Sequence, residues 1–141
     1  MTSHIQAPVR SYGFAATVDL PYDQAVERTR AALKDQGFGV LTEIDVKQTM
    51  KAKLEVDFRP YVILGACNPP LAHRALSADL GIGLLLPCNV VVYDNGDDTS
   101  TVEFMDPEAA LGLVGDNPVI ADVAHEASVR LYQALDALAA A

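Results

Sequence analysis

Two aliphatic segments in the middle of the chain carry apolar side chains at consecutive positions. The first has Val-Ile-Leu at 62–64, and the second has Leu-Leu-Leu at 84–86 followed by Val-Val-Val at 90–92. Successive side chains of a strand point to opposite faces of the sheet, so strands of this composition are apolar on both faces. The chain must therefore cover both faces of a sheet or leave one of them apolar.

The other apolar residues follow the periods of strands and helices and predict the order β-α-β-(α)-β-α-β-β-α. The predicted strands are 13–20, 38–44, 61–67, 83–93 and 99–105, and the predicted helices are 22–36, 46–54, 69–80 and a last helix that begins after Asn117-Pro118. The segment 46–54 fits a helix capped by Asp45, but it also fits a hairpin strand, so that helix stands in brackets.

This order lacks the regular alternation of a doubly wound sheet. It predicts an α+β fold, in which a mainly antiparallel sheet has helices packed on one face. At 141 residues the chain is expected to form a single domain, 1–141. The uncovered face would then expose an apolar patch of a kind that monomers seldom tolerate. We expect a homodimer that buries this face; the alternative is that the helices wrap both faces.

The net charge of the chain argues against two classes of binding partner. The formal net charge is -9, which argues against nucleic-acid binding and against docking on an anionic membrane. The N-terminus lacks the cationic start and apolar run of a secretory signal, so we expect a cytoplasmic protein in which both cysteines stay reduced.

The side chains best suited to chemistry lie in two Cys-Asn pairs, Cys67-Asn68 and Cys88-Asn89, and at His73. Cys67 ends a predicted strand just before a helix N-terminus, where the helix dipole favours a thiolate. It is a candidate nucleophile, redox thiol or metal ligand, or else an inert buried cysteine. His73 either leans toward Cys67 or is a hydrogen-bonded structural residue.

Sequence motifs assign no cofactor and no reaction. The chain contains neither a glycine-rich phosphate loop nor a nucleophile elbow. Because it also lacks CxxC and HxxxH spacing, we predict no metal site. Pro69 and Pro70 remove two backbone donors from the helix N-terminus, so we expect at most a modest lowering of the pKa of Cys67.

Two longer blocks resemble a known family. Residues 63–76, Ile-Leu-Gly-Ala-Cys-Asn-Pro-Pro-Leu-Ala-His-Arg-Ala-Leu, and residues 82–92, Ile-Gly-Leu-Leu-Leu-Pro-Cys-Asn-Val-Val-Val, are similar to the bacterial and archaeal family catalogued as domain of unknown function 302. The resemblance covers nearly the whole chain. It implies a small α+β domain of the TATA-box-binding-protein-like fold class, with a tendency to dimerise, and it implies no particular reaction. The family blocks fall on Cys67, Asn68, Pro69, His73, Pro87, Cys88 and Asn89.

Three functions are compatible with these observations. The first is a homodimeric binding module that holds a small metabolite, anion or metal near Cys67 and His73, with Asn68, Cys88 and Asn89 as further candidate binding residues. The second is a thiol-dependent enzyme or redox protein that uses Cys67. The third is a structural or regulatory dimer that binds no small ligand.

Overall fold

The computed structural model describes residues 6–140, and its centre is a sheet of five strands. These are β1 Gly13–Val18, β2 Gly39–Asp45, β3 Tyr61–Cys67, β4 Cys88–Asp94 and β5 Ser100–Met105. They lie in the order β1-β5-β4-β3-β2, and every neighbouring pair is antiparallel. The prediction of an α+β fold with an antiparallel sheet is confirmed.

Five α-helices connect or follow the strands. They are α1 Tyr22–Asp35, α2 Val46–Leu54, α3 Pro69–Ala78, α4 Pro107–Leu111 and α5 Pro118–Ala139, with short 3-10 helices at Leu80–Leu85 and Gly112–Val114. None of the helices within residues 6–140 has the combination of length and apolar character needed to cross a bilayer.

Polar side chains fix where several helices begin. Asn68 and Asn117 cap α3 and α5, and each accepts a hydrogen bond from the backbone N–H three residues later. Each is followed by proline, which suits the first helical position because its missing N–H would be unpaired there anyway. Asp45 caps α2 in the same way. Residues 46–54 therefore form a helix and not the hairpin strand that the sequence also allowed.

The hydrophobic core lies between the helices and one face of the sheet. Helices α1, α3, α4 and α5 all contribute buried residues to it, whereas α2 contributes none. The sheet side of this core consists of Val18, Val62, Leu64, Ala66, Cys88, Val90, Val92, Val102 and Phe104. The prediction that the helices pack on one face is therefore confirmed.

The opposite face, which we call the open face, carries Ile44, Tyr61, Ile63, Val91 and Tyr93. Ile44, Ile63 and Val91 occupy one row of the sheet, because they pair with one another across β2, β3 and β4. The rings of Tyr61 and Tyr93 stack in a neighbouring row, with centroids 5.5 Å apart. All five side chains are half-buried or exposed. The alternative in which helices wrap both faces is thus wrong for residues 6–140.

The segment 83–87 differs from the prediction. The predicted strand 83–93 begins only at Cys88, and the residues before it form the 3-10 helix, which buries Ile82 and packs Leu85 against the core. Pro87 has no N–H to donate to a sheet ladder, so the strand cannot extend through it. The leucines at 84–86 consequently add nothing to the open face.

Helix α4 was also not predicted, because Asp106-Pro107 marks a strand end and a helix start equally well.

A substitution at Gly65 tests how tightly the side chains pack at the end of the sheet near Pro87. A Cβ at Gly65 would overlap Oγ1 of Thr42 and lie 2.9 Å from Cγ of Pro87. Overpacking of this kind costs about 1–3 kcal/mol, so Gly65→Ala is expected to lower the free energy of unfolding by that amount in urea denaturation. Gly39→Ala is the matched control on the neighbouring strand, where a Cβ meets no atom within 4 Å. Equal stability of the two variants would contradict the packing described here.

Candidate functional site

A cavity of about 300 Å³ opens at the end of the sheet where β3 leads into α3. One wall is the end of β3 with the adjoining part of α3, and another is the segment from Leu86 to Cys88. Helix α5 supplies Val123 and Ala127, and Leu111 closes the far side. The lining is almost entirely apolar.

Small side chains create this space. Ala66, Ala72, Ala75 and Ala127 all line the cavity, and each presents only a methyl group to it. Helices α3 and α5 therefore span the end of the sheet without filling the volume beneath them. The cavity is open to solvent, because Leu41 and Leu76 in its lining are exposed. A concave apolar pocket with a few polar groups is the usual form of a small-molecule site.

Both cysteines line the cavity. Cys88 is buried, Cys67 is partly exposed, and neither forms a disulfide. Burial raises the pKa of Cys67 above its ordinary value. Burial and, secondarily, the neighbouring Cys67 raise the pKa of Cys88 to about 11. At neutral pH both thiols are therefore protonated and uncharged.

The expected lowering of the pKa of Cys67 by the N-terminus of α3 is wrong in direction. Pro69 and Pro70 carry no N–H. The next two donors are already used, because the N–H of Leu71 bonds to Oδ1 of Asn68 and the N–H of Ala72 bonds to the backbone oxygen of Asn68. The first turn of α3 therefore offers no free backbone N–H to a thiolate, and burial decides the direction of the pKa shift.

The structure brings only part of the predicted site together. Cys67, Asn68 and Cys88 line the cavity, whereas His73 is exposed on α3 and is not part of the lining. Asn89 pairs with Gly65 in the sheet and lies on the open face, because it follows the inward-facing Cys88. Among residues 6–140, no three His, Cys, Asp or Glu side chains are grouped as metal ligands would be.

A polar cluster on the open face was missed by the sequence analysis. Glu103 accepts hydrogen bonds from Nε of Arg10 at 2.6 Å, Nη2 of Arg10 at 3.2 Å and the hydroxyl of Tyr93 at 2.6 Å. Burial acts to raise the pKa of Glu103, but these hydrogen bonds and the charge of Arg10 outweigh it and hold the pKa below its ordinary value. Burial and the bond to Glu103 raise the pKa of Tyr93 to about 12.

Tyr93 and Glu103 occupy outward positions of two consecutive predicted strands. This placement was the signal in the sequence from which their contact could have been predicted. The participation of Arg10, 93 residues away from Glu103, has no local signature. A second depression of about 320 Å³ adjoins the cluster and is bordered by Arg10, Tyr61 and Asn89 among others. Its lining is more polar than that of the cavity at Cys67.

Comparison with known proteins shows the family of this chain and a solved structure that is similar to it. Residues 14–138 match the family described as Domain of unknown function DUF302. The crystal structure of an uncharacterized conserved protein DUF302 from Bacillus stearothermophilus is similar, with a TM-score of 0.82 and 32% sequence identity. The similarity covers 92% of this chain and 99% of that one. None of the curated proteins compared with the chain matches it.

The thiols provide a direct test of the site's electrostatics. We expect iodoacetamide to alkylate Cys67 slowly at neutral pH, with a rate that keeps rising above pH 9.0, the ordinary thiol pKa, because burial disfavours the thiolate. The rate at Cys67 is measured against pH in a Cys88→Ser variant. Cys88, measured in a Cys67→Ser variant, is expected to stay unmodified until the pH approaches 11 or the protein unfolds. A half-maximal rate for Cys67 near pH 7 would contradict this description.

Proposed function

The chain belongs to the DUF302 family, and we propose that it is a homodimeric binding module for a small, neutral and largely apolar molecule. The cavity beside Cys67, Asn68 and Cys88 would hold this molecule. The observation that carries the proposal is an apolar cavity of about 300 Å³ with only a few polar groups on its walls.

The size and lining of the cavity favour a neutral organic ligand. A cavity of about 150 Å³ is already large enough to take up benzene, and this one has about twice that volume. Among residues 6–140, the titratable side chains in its lining are the two thiols, and their raised pKa values keep them uncharged at neutral pH. An anion or a metal ion entering the cavity would lose its hydration without gaining a charged partner.

The two alternative functions have less support. A thiol-dependent enzyme needs a thiolate near neutral pH, and the raised pKa of Cys67 opposes that. A dimer without a ligand assigns no role to the apolar cavity. A cytoplasmic location remains part of the proposal, because a reducing compartment suits two free thiols.

The open face supports the dimeric part of the proposal. It presents aliphatic Ile44, Ile63 and Val91 beside the stacked Tyr61 and Tyr93. Ile44 is 48% exposed, although it lies in the same row as Ile63 and Val91. A second copy placed about a two-fold axis would cover this patch with the same patch, as most homodimers do.

We expect a cavity-filling substitution to weaken ligand binding without unfolding the protein. Ala72 lines the cavity and is only half-buried, so Ala72→Leu adds three carbons to the cavity at little cost to the fold. The probe is N-phenyl-1-naphthylamine, a neutral apolar fluorophore titrated into the protein. Saturable binding is expected for the unaltered chain, with affinity at least about tenfold lower in the variant.

Ala78→Leu is the matched control, because Ala78 is exposed on the same helix and does not line the cavity. Its affinity for the fluorophore is expected to equal that of the unaltered chain. The thermal midpoint of each variant verifies that it is folded. Equal fluorophore affinity in all three proteins, or no saturable binding to the unaltered chain, would overturn the binding proposal.

The assembly is tested at a single exposed position. Ile44→Lys places a charge on the open face, which is expected to weaken the dimer at least about tenfold because the charge would be buried without a partner. Val129→Lys is the control, since Val129 lies on α5 and is similarly exposed, at 43% against 48% for Ile44. Sedimentation velocity at micromolar concentration measures both. A monomeric unaltered chain, or equal effects of the two substitutions, would contradict assembly through this face.

A further inference from the structure

The open face carries a charged side chain within its aliphatic row. Glu103 of β5 pairs with Val91, and the row continues through Ile63 to Ile44. The side chain of Glu103 is 14% exposed, so its carboxylate is already largely removed from water within one protomer. A carboxylate in such a place is costly unless an opposite charge and hydrogen bonds compensate it.

Arg10 supplies the compensating charge from the segment before β1. This segment is held beside the end of β5, because the backbone oxygen of Tyr12 accepts a hydrogen bond from the N–H of Asp106 at 2.9 Å. Nε and Nη2 of Arg10 both donate to the carboxylate of Glu103, at 2.6 Å and 3.2 Å. The two-point contact orients the guanidinium beside Glu103 as well as neutralising the carboxylate.

The charge of the open face differs from that of the whole chain. The net charge is -9, so two copies of the chain repel each other unless the surfaces that meet are neutral. Within residues 6–140, Glu103 is the single carboxylate at a strand position that faces this side of the sheet. With Arg10 bound to it, the strand residues of the open face carry no net charge. The open face is therefore suited to contact with a second copy of the same chain.

We propose that the ion pair of Arg10 with Glu103 is the feature of the open face that allows a second copy to bind there. This inference rests on the proposed function and deepens its dimeric part. Arg10 is a positioning residue for assembly, because it neutralises Glu103 within each protomer and no carboxylate enters the interface unpaired. The hydroxyl of Tyr93 donates to the same carboxylate at 2.6 Å and satisfies a further lone pair.

The ion pair has different consequences in one protomer and in the dimer. In one protomer the side chain of Arg10 is 38% exposed, and ion pairs that water can reach add little to the stability of a fold. In the dimer a second copy covers the pair, and removal of one partner leaves a buried charge that nothing compensates. Loss of Arg10 is therefore expected to affect assembly far more than folding.

Arg10→Met is the informative variant, since it removes the positive charge and keeps a long apolar side chain. The carboxylate of Glu103 would then be buried unpaired, so the dissociation constant of the dimer, measured by analytical ultracentrifugation, is expected to rise at least about tenfold. Arg74→Met is the matched control. Arg74 also forms an ion pair, with Glu126 at 3.3 Å, but it lies on α3 on the helical side of the sheet. Its substitution is expected to leave the dissociation constant unchanged.

A second substitution separates the effect of charge from the simple loss of a contact. When Arg10→Met is combined with Glu103→Gln, the side chain at position 103 is neutral, and its amide oxygen still accepts from the hydroxyl of Tyr93. No unpaired charge remains, so the double variant is expected to regain a dissociation constant within about threefold of that of the unaltered chain. A double variant that dimerises as weakly as Arg10→Met alone would overturn the role assigned to the ion pair.

A measurement on the unaltered chain keeps the proposal testable if a variant fails to fold. Phenylglyoxal modifies accessible arginine side chains, and mass spectrometry follows each site at protein concentrations above and below the dissociation constant of the dimer. The rate at Arg10 is expected to fall severalfold in the dimer, whereas the rate at Arg74 stays the same.

Two kinds of failure are distinguishable. Equal rates at Arg10 in monomer and dimer, or equal dissociation constants for Arg10→Met and Arg74→Met, would overturn the role of Arg10 in a chain that still dimerises. A chain that is monomeric at micromolar concentration would instead overturn the dimeric part of the proposed function, and this inference with it.

Discussion

The cap that Asn68 forms at the start of α3 is the interaction on which the cavity depends. Strand β3 ends at Cys67 and α3 begins at Pro69, so the chain turns from strand to helix within one residue. The side chain of Asn68 makes this possible because it satisfies the N–H of Leu71, the first donor after the two prolines. The turn leads α3 across the end of the sheet, and its small residues then leave the space beneath it unfilled.

The sheet divides the molecule into two surfaces with different physical roles. On one face the helices bury the aliphatic side chains of all the inner strands in one core. On the open face the same strands present Ile63 and Val91 without a helix above them, and the ion pair of Arg10 with Glu103 lies beside them. The two faces therefore differ in polarity and in exposure, since one is covered by the core helices and the other carries aliphatic, aromatic and charged side chains that are half-buried or exposed.

The sequence predicted well what is governed by local patterns. Strand β3, the helix after Asn68-Pro69-Pro70 and the antiparallel α+β sheet follow from apolar spacing and capping residues. The direction of the side chains after Pro87 could not be predicted in the same way. A shift of one residue in where a strand begins moves each of its side chains to the opposite face of the sheet. Cys88 therefore lines the cavity while its neighbour Asn89 does not, and Arg10 meets Glu103 through tertiary structure alone.

The central claim is that the cavity beside Cys67 and Cys88 receives a neutral organic ligand. Its most direct test is a titration with acetophenone, followed through the amide chemical shifts in ¹H–¹⁵N NMR spectra. The largest saturable changes are predicted at backbone amides around the cavity, including those of Cys67, Asn68 and Cys88. The amides of Val91 and Glu103, near the middle of the sheet, are predicted to change little. Shifts concentrated on the open face, or no saturable shift at the cavity, would contradict the claim.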